Sequence, residues 1–68
     1  MITGGFGYLG TLIADVLHAQ GFSIRILSRN IPSSLKHVED DYEVFRGDIL
    51  NKYDVERSCE GIDFIIHL

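Results

Sequence analysis

Apolar residues fall at Leu9, Leu12, Ile13, Val16 and Leu17, the i, i+3, i+4, i+7, i+8 spacing of a helix that buries one face, and Gly21 stops the pattern. The period then changes. In Ser23 to Ser28, SIRILS, Ile24 and Ile26 share one face of a strand and Leu27 adds to the other. Tyr42 to Arg46, YEVFR, alternates again and predicts a strand that closes at Gly47-Asp48. Asn51 can cap a second helix from about Lys52 to Glu60, with Tyr53, Val55 and Cys59 on its apolar side and Gly61 at its end. Ile62 to Leu68, IDFIIHL, is the mostly apolar run of a strand buried on both faces. Between these, residues 29 to 41 hold the single proline, two adjacent serines and the run Glu39-Asp40-Asp41. They predict a surface connection with a short helical turn near Leu35.

Strand and helix signals therefore alternate along the whole chain, which predicts an α/β fold: a parallel sheet with helices on its faces and right-handed crossovers. Composition agrees, since 46% hydrophobic and 24% charged residues describe a chain that packs a core. At 68 residues the margin is thin, because a chain of this size buries only about 60% of its unfolded surface. The net charge of −4 and the six Lys and Arg scattered singly from Arg25 to Arg57 leave no basic stripe for a phosphate backbone, so a nucleic-acid partner is not expected. Cys59 is the single cysteine, which excludes an internal disulfide and a cysteine-cluster metal site, and His18, His37 and His67 lack metal-ligand spacing. No apolar run approaches the roughly 18 residues of a membrane span, and no secretory leader pattern opens the chain. A soluble, cytoplasmic location without a membrane partner is the expectation.

The chemistry concentrates at one place. Residues 3 to 10 read TGGFGYLG, and the helical stripe begins at Leu9, so a glycine-rich turn opens directly into a helix. A dinucleotide's pyrophosphate binds where N–H groups at a helix N-terminus can point at it, and bulky side chains there would hold the backbone too far away. Two registers fit, Gly5-x-Gly7-x-x-Gly10 and Gly4-x-x-Gly7-x-x-Gly10, and spacing alone does not choose between them.

In the second register TGGFGYLG resembles the T-G-x-x-G-x-x-G signature of the short-chain dehydrogenase/reductase superfamily, in particular its extended, NAD-dependent epimerase/dehydratase branch. The likeness continues in order. GFSIRILSRN is similar to that family's second strand, FRGDI to its third, and GIDFIIHL to its fourth. The resemblance implies the N-terminal half of a Rossmann-type doubly wound parallel sheet, with the first strand central in the order 3-2-1-4. Only Met1 and Ile2 precede Thr3, and the sequence stops inside its fourth strand. Residues 1–68 are therefore read as a partial NAD(P)-binding domain truncated at both ends, a fragment of a longer enzyme.

Carried over by position, the resemblance places Gly4, Phe6, Gly7, Tyr8 and Leu9 along the pyrophosphate, with Gly10 letting the helix approach the sheet. Phe6 and Tyr8 read equally well as packing over the loop. Asp48 and Ile49 match the pair that meets the adenine, the carboxylate accepting from its amine and the aliphatic chain packing on the ring; by itself Asp48 reads as a turn residue. At the end of the second strand an NAD-binding unit usually carries an acid that holds the ribose hydroxyls. Here Ser28-Arg29 stand instead, a hydroxyl and a guanidinium suited to a 2′-phosphate, so NADP(H) is expected over NAD(H). A methyltransferase-like nucleotide loop would also show an acid there.

The family's catalytic Tyr-x-x-x-Lys is absent from residues 1–68: Tyr8, Tyr42 and Tyr53 are followed four places on by Leu12, Arg46 and Arg57. No catalytic residue is assigned, and no turnover is expected of this chain alone. His67 is read as a satisfied core or near-cofactor histidine, His18 as exposed and Cys59 as a packing residue. The expected role is the cofactor part of a reductase, epimerase or dehydratase for a sugar nucleotide or another small alcohol or carbonyl compound. The alternative is a non-catalytic NADP-binding regulatory module.

Overall fold

The structure, a computed structural model, describes residues 1–31 and 41–68. Among the described residues six elements follow in order: β1 (Ile2–Thr3), α1 (Tyr8–Ala19), β2 (Arg25–Ser28), β3 (Glu43–Arg46), α2 (Lys52–Ser58) and β4 (Ile66–His67). The sheet order is β3-β2-β1-β4 and every pairing is parallel. This is the expected half of a doubly wound sheet, with β1 between β2 and β4. The helical turn predicted near Leu35 and the Glu39-Asp40 pair lie outside the described residues.

Register explains how so short a β1 can sit at the centre. Val44, Ile26, Ile2 and Ile66 form one cross-strand row, all β-branched and on one face. On that face Ile2 and Ile26 are buried with Ile24, Ala14 and Tyr42, while Phe6, Ile13, Leu17 and Ile66 pack around them. Each fully buried isoleucine contributes about 1.5–3 kcal/mol, so this row and α1 form the core. The alternate row, Phe45, Leu27, Thr3 and His67, faces the other way. α2 lies on that second face, where Arg25 reaches Ser58 and where a Cβ on Gly47 would meet both Asp54 and Leu27.

The buried side of α1 differs from the predicted stripe. Gly10 and Ala14 are its buried residues, with Ile13 and Leu17 partly covered, whereas Leu9, Leu12 and Val16 are exposed, Val16 at 61%. Small residues take the closest contacts of the helix, Gly10 against the glycine turn before it and Ala14 against the core, and the larger Leu9, Leu12 and Val16 stay outside them. A hydrophobic stripe reports period, but close backbone approach selects by size.

Other boundaries shift for local reasons. β2 begins at Arg25, two residues later than the alternation suggests, although Ile24 is still buried. Tyr42 precedes β3 and is buried, its hydroxyl donating to Asp15 Oδ1 on α1 while its ring meets His18 edge-on at 5.2 Å. Asn51 caps α2 as expected, its Oδ1 accepting from the Asp54 N–H at 3.0 Å, but the helix ends at Ser58, short of Glu60. Val55 and Cys59 are half-buried as expected; Tyr53 is exposed and lies against Arg57.

The largest correction concerns IDFIIHL. Only Ile66–His67 pairs as a strand, and Phe64 and Ile65 are exposed, so this segment is not buried on both faces. Phe64 and Ile65 precede the two paired residues, so no sheet face holds their side chains against the core.

Candidate functional site

β1 delivers the chain into the glycine turn. Gly4 has φ +68, a left-handed conformation that costs glycine nothing, and its carbonyl accepts the Gly7 N–H at 3.1 Å. α1 then starts at Tyr8 with Gly7 as N-cap in extended conformation, φ −75 and ψ 172, without a side-chain cap and without an acid in the first turn. The first N–H groups of a helix have no intrahelical acceptor, and they carry the positive end of the helix dipole. An anion is the partner that this end suits.

Gly10 and Gly7 are glycine for different reasons. A Cβ on Gly10 would overlap the Gly4 carbonyl and come within 2.7 Å of Gly5 Cα, so this position is fixed by packing of the helix on its own turn. At Gly7 a Cβ would meet only the Gly4 carbonyl, at an ordinary 3.4 Å, and φ is negative. Neither backbone nor packing demands glycine at Gly7. What its absent side chain leaves clear is the approach to the first turn of α1.

That approach opens into a cleft of about 360 Å³ at the carboxyl ends of the strands, the end of a doubly wound sheet where ligands bind. Thr3, Gly4, Phe6 and Gly7 form its floor; Leu27, Ser28 and Arg29 come from the end of β2, Gly47 and Ile49 from beyond β3, and His67 and Leu68 from β4. A larger cleft, about 900 Å³, lies at the opposite ends of the strands, between Phe22, Arg25, Glu43 and Phe64. Its two glycines, Gly21 and Gly61, follow the C-terminal ends of α1 and α2, and no helix N-terminus among the described residues opens into it. Chemistry, and not volume, selects the smaller cleft.

Of the residues singled out from sequence, Gly4, Phe6, Gly7, Ser28, Arg29 and Ile49 converge on this cleft. Phe6 also packs on the core, so the packing reading of that residue has structural support. Tyr8 and Leu9 lie in the first turn of α1 with their side chains outward, Tyr8 85% exposed, and they offer the site their backbone. Gly10 is buried beneath the turn. Asp48 stands beside the cleft: its Oδ1 accepts the Leu50 N–H at 2.9 Å, its own N–H donates to Asp54 Oδ2 at 2.9 Å, and both bonds fix the turn that carries Ile49. Ser28 Oγ donates to the Asn30 carbonyl at 2.6 Å. Arg29 is exposed, and among the described residues its guanidinium meets no carboxylate.

Thr3 was not singled out from sequence, although it is the first letter of the glycine signature. It is buried, and its hydroxyl meets His67 Nδ1 at 2.6 Å and the Leu68 N–H at 3.3 Å. His67 is thus satisfied, as expected, but exposed along the cleft wall and not in the core. Among the described residues no group of three His, Cys, Asp or Glu could hold a metal, and no helix is long and apolar enough to cross a membrane.

Comparison with known proteins agrees with this geometry. A curated relative, the uncharacterized protein y4nG of Sinorhizobium fredii (strain NBRC 101917 / NGR234), is 34% identical over 67 residues, which cover 98% of this chain and 16% of that protein. The chain thus spans about a sixth of that relative's length. No solved structure matches it significantly. The family model described as "NAD dependent epimerase/dehydratase family" matches residues 1–68, the whole of the chain, and the chain belongs to that family.

Proposed function

We propose that residues 1–68 form part of an NAD(P)-binding domain whose whole protein is an oxidoreductase, epimerase or dehydratase acting on a sugar nucleotide or another small alcohol or carbonyl compound. Gly7 carries the reading. It is a glycine that neither conformation nor packing requires, set where a side chain would block a phosphate from the first turn of α1. A nicotinamide dinucleotide bound there would supply hydride transfer.

In this reading Gly4, Phe6, Gly7, Tyr8 and Leu9 line the pyrophosphate, chiefly through backbone N–H groups, and Gly10 keeps α1 close enough for them to do so. Asp48 and Ile49 receive the adenine, Ile49 through its exposed side chain beside the cleft. Arg29 and Ser28 favour NADP(H) over NAD(H), because a guanidinium at the end of β2 attracts a 2′-phosphate where a carboxylate would repel it. The ligands are small molecules, with neither nucleic acid nor membrane as partner, and the compartment is the cytoplasm.

Residues 1–68 hold no Tyr-x-x-x-Lys, so they bind and do not turn over. Arg29 at the end of β2 is equally compatible with a second reading, a non-catalytic NADP-binding regulatory module. The two differ in whether the rest of the protein supplies the tyrosine and lysine. Titration with NADPH and then NADH, followed by amide NMR, tests the shared claim. Shifts at Gly7, Tyr8, Arg29 and Asp48 that saturate at lower NADPH than NADH are expected; a spectrum indifferent to both cofactors would reject it.

A further inference from the structure

The Thr3–His67 pair has a consequence for the site beyond joining β1 to β4. Thr3 is buried, and its Oγ1 has two neighbours among the described residues: the Leu68 N–H at 3.3 Å and His67 Nδ1 at 2.6 Å. An amide N–H can only donate, so toward Leu68 the hydroxyl oxygen accepts. The hydroxyl's own proton then has one acceptor within reach, the imidazole Nδ1. If Nδ1 carried the proton, the buried hydroxyl would accept twice and its hydrogen would point at nothing, which costs the desolvation of an unmade bond. The network therefore favours the tautomer in which Nδ1 is bare and Nε2 carries the hydrogen.

His67 lines the cleft and is exposed, with Nε2 outside this network. We infer that Thr3 is a positioning residue that fixes His67 as a donor, and that the His67 Nε2–H serves an acceptor oxygen of the dinucleotide. The inference rests on the dinucleotide reading of the cleft. It adds to that reading a side-chain donor from the β4 side, across from the glycine turn, where Gly4 and Leu68 lie 3.4 Å apart if a Cβ is placed on the glycine.

Three variants separate the parts. His67→Asn places an amide oxygen near the Nδ1 position, so the bond to Thr3 survives while the Nε2 donor is lost. Thr3→Val removes the hydroxyl at nearly constant shape, and Thr3→Ser restores it. In the wild type, nitrogen-15 NMR of the neutral imidazole is expected to show hydrogen on Nε2, and Thr3→Val to give mixed tautomers. NADPH affinity is expected to fall about tenfold in His67→Asn, as for loss of one hydrogen bond to a charged or strongly polar oxygen, and severalfold in Thr3→Val, with Thr3→Ser near wild type. Hydrogen on Nδ1 in the wild type, or unchanged affinity in a folded His67→Asn, overturns the inference while leaving dinucleotide binding intact. A wild type that binds neither NADPH nor NADH overturns the dinucleotide reading and this assignment with it.

Discussion

Gly10 rests against the carbonyl of Gly4, at a separation that leaves no room for a single added carbon. The contact ties the first turn of the helix to the residue whose left-handed backbone begins the glycine turn, so the two positions fix one another. Gly10→Ala must push the helix from the turn or strain both. A loss of about 3 kcal/mol is expected, the upper range of overpacking, because the obstructing atoms are backbone and cannot rotate away. The urea midpoint of unfolding measures it.

Gly7→Ala makes the opposite prediction. The new methyl meets only ordinary contact, and the small penalty of alanine at an N-cap is offset by the lower entropy of the unfolded chain. Stability within about 0.5 kcal/mol of wild type is therefore expected. Dinucleotide binding should be lost by tenfold or more, about 1.4 kcal/mol, since Gly7 lines the cleft and an added methyl there takes space that the proposed phosphate needs. A fluorescence titration with NADPH, paired with the denaturation curve, separates the two effects.

Arg29→Asp tests the cofactor preference. Because Arg29 is exposed, folding stability should stay within about 0.5 kcal/mol. The NADPH-to-NADH affinity ratio should fall by about one to two factors of ten, the worth of charge-assisted hydrogen bonds to a phosphate. An unchanged ratio would remove Arg29 from the site.

Tyr42 makes stability depend on alkaline pH. Burial, first, and then the hydrogen bond to Asp15 and the negative charges of Asp15 and Asp41 raise its phenol from 10.0 to about 12. The folded value lies above the unfolded one, so this stabilisation is complete below pH 10 and is lost as pH rises toward 12. Tyr42→Phe should cost about 1 kcal/mol at neutral pH for the lost bond. Between pH 10 and 12 it should also flatten the decline that the wild type shows.

Arg25 anchors α2 on the face of the sheet opposite α1. Its Nη1 donates to the Ser58 carbonyl at 2.6 Å and the Glu60 carbonyl at 2.7 Å, while its Nε lies 3.1 Å from Glu43 Oε2. These carbonyls end a helix whose last turn has few other donors. Arg25→Met should cost about 2 kcal/mol, and amide exchange should accelerate first over Lys52–Ser58. Arg25→Lys should fall between, because an ammonium can donate to the carbonyls but has no Nε to keep beside Glu43.

Much of this protein is determined locally and is therefore legible in its sequence. The alternation of strand and helix signals, the turn that opens α1 and the Asn51 cap each depend on residues within a few positions of one another, and each is found where the pattern puts it. The family resemblance has the same basis, since a glycine turn is a local device. Sequence alone also brought Ser28, Arg29 and Ile49 to one list with Gly4, Phe6 and Gly7, and the parallel sheet does bring them to one cleft. Tertiary structure decided the rest. Which side of α1 is buried depends on what the helix meets, the glycine turn at Gly10 and the core at Ala14, so these two displaced Leu9, Leu12 and Val16. Phe64 and Ile65 are exposed because strand pairing begins only at Ile66, so composition there did not decide burial. Arg25 with Ser58, and Thr3 with His67, join residues 33 and 64 positions apart. Such pairs leave no periodic trace in the sequence, because only folding brings their atoms within hydrogen-bond reach.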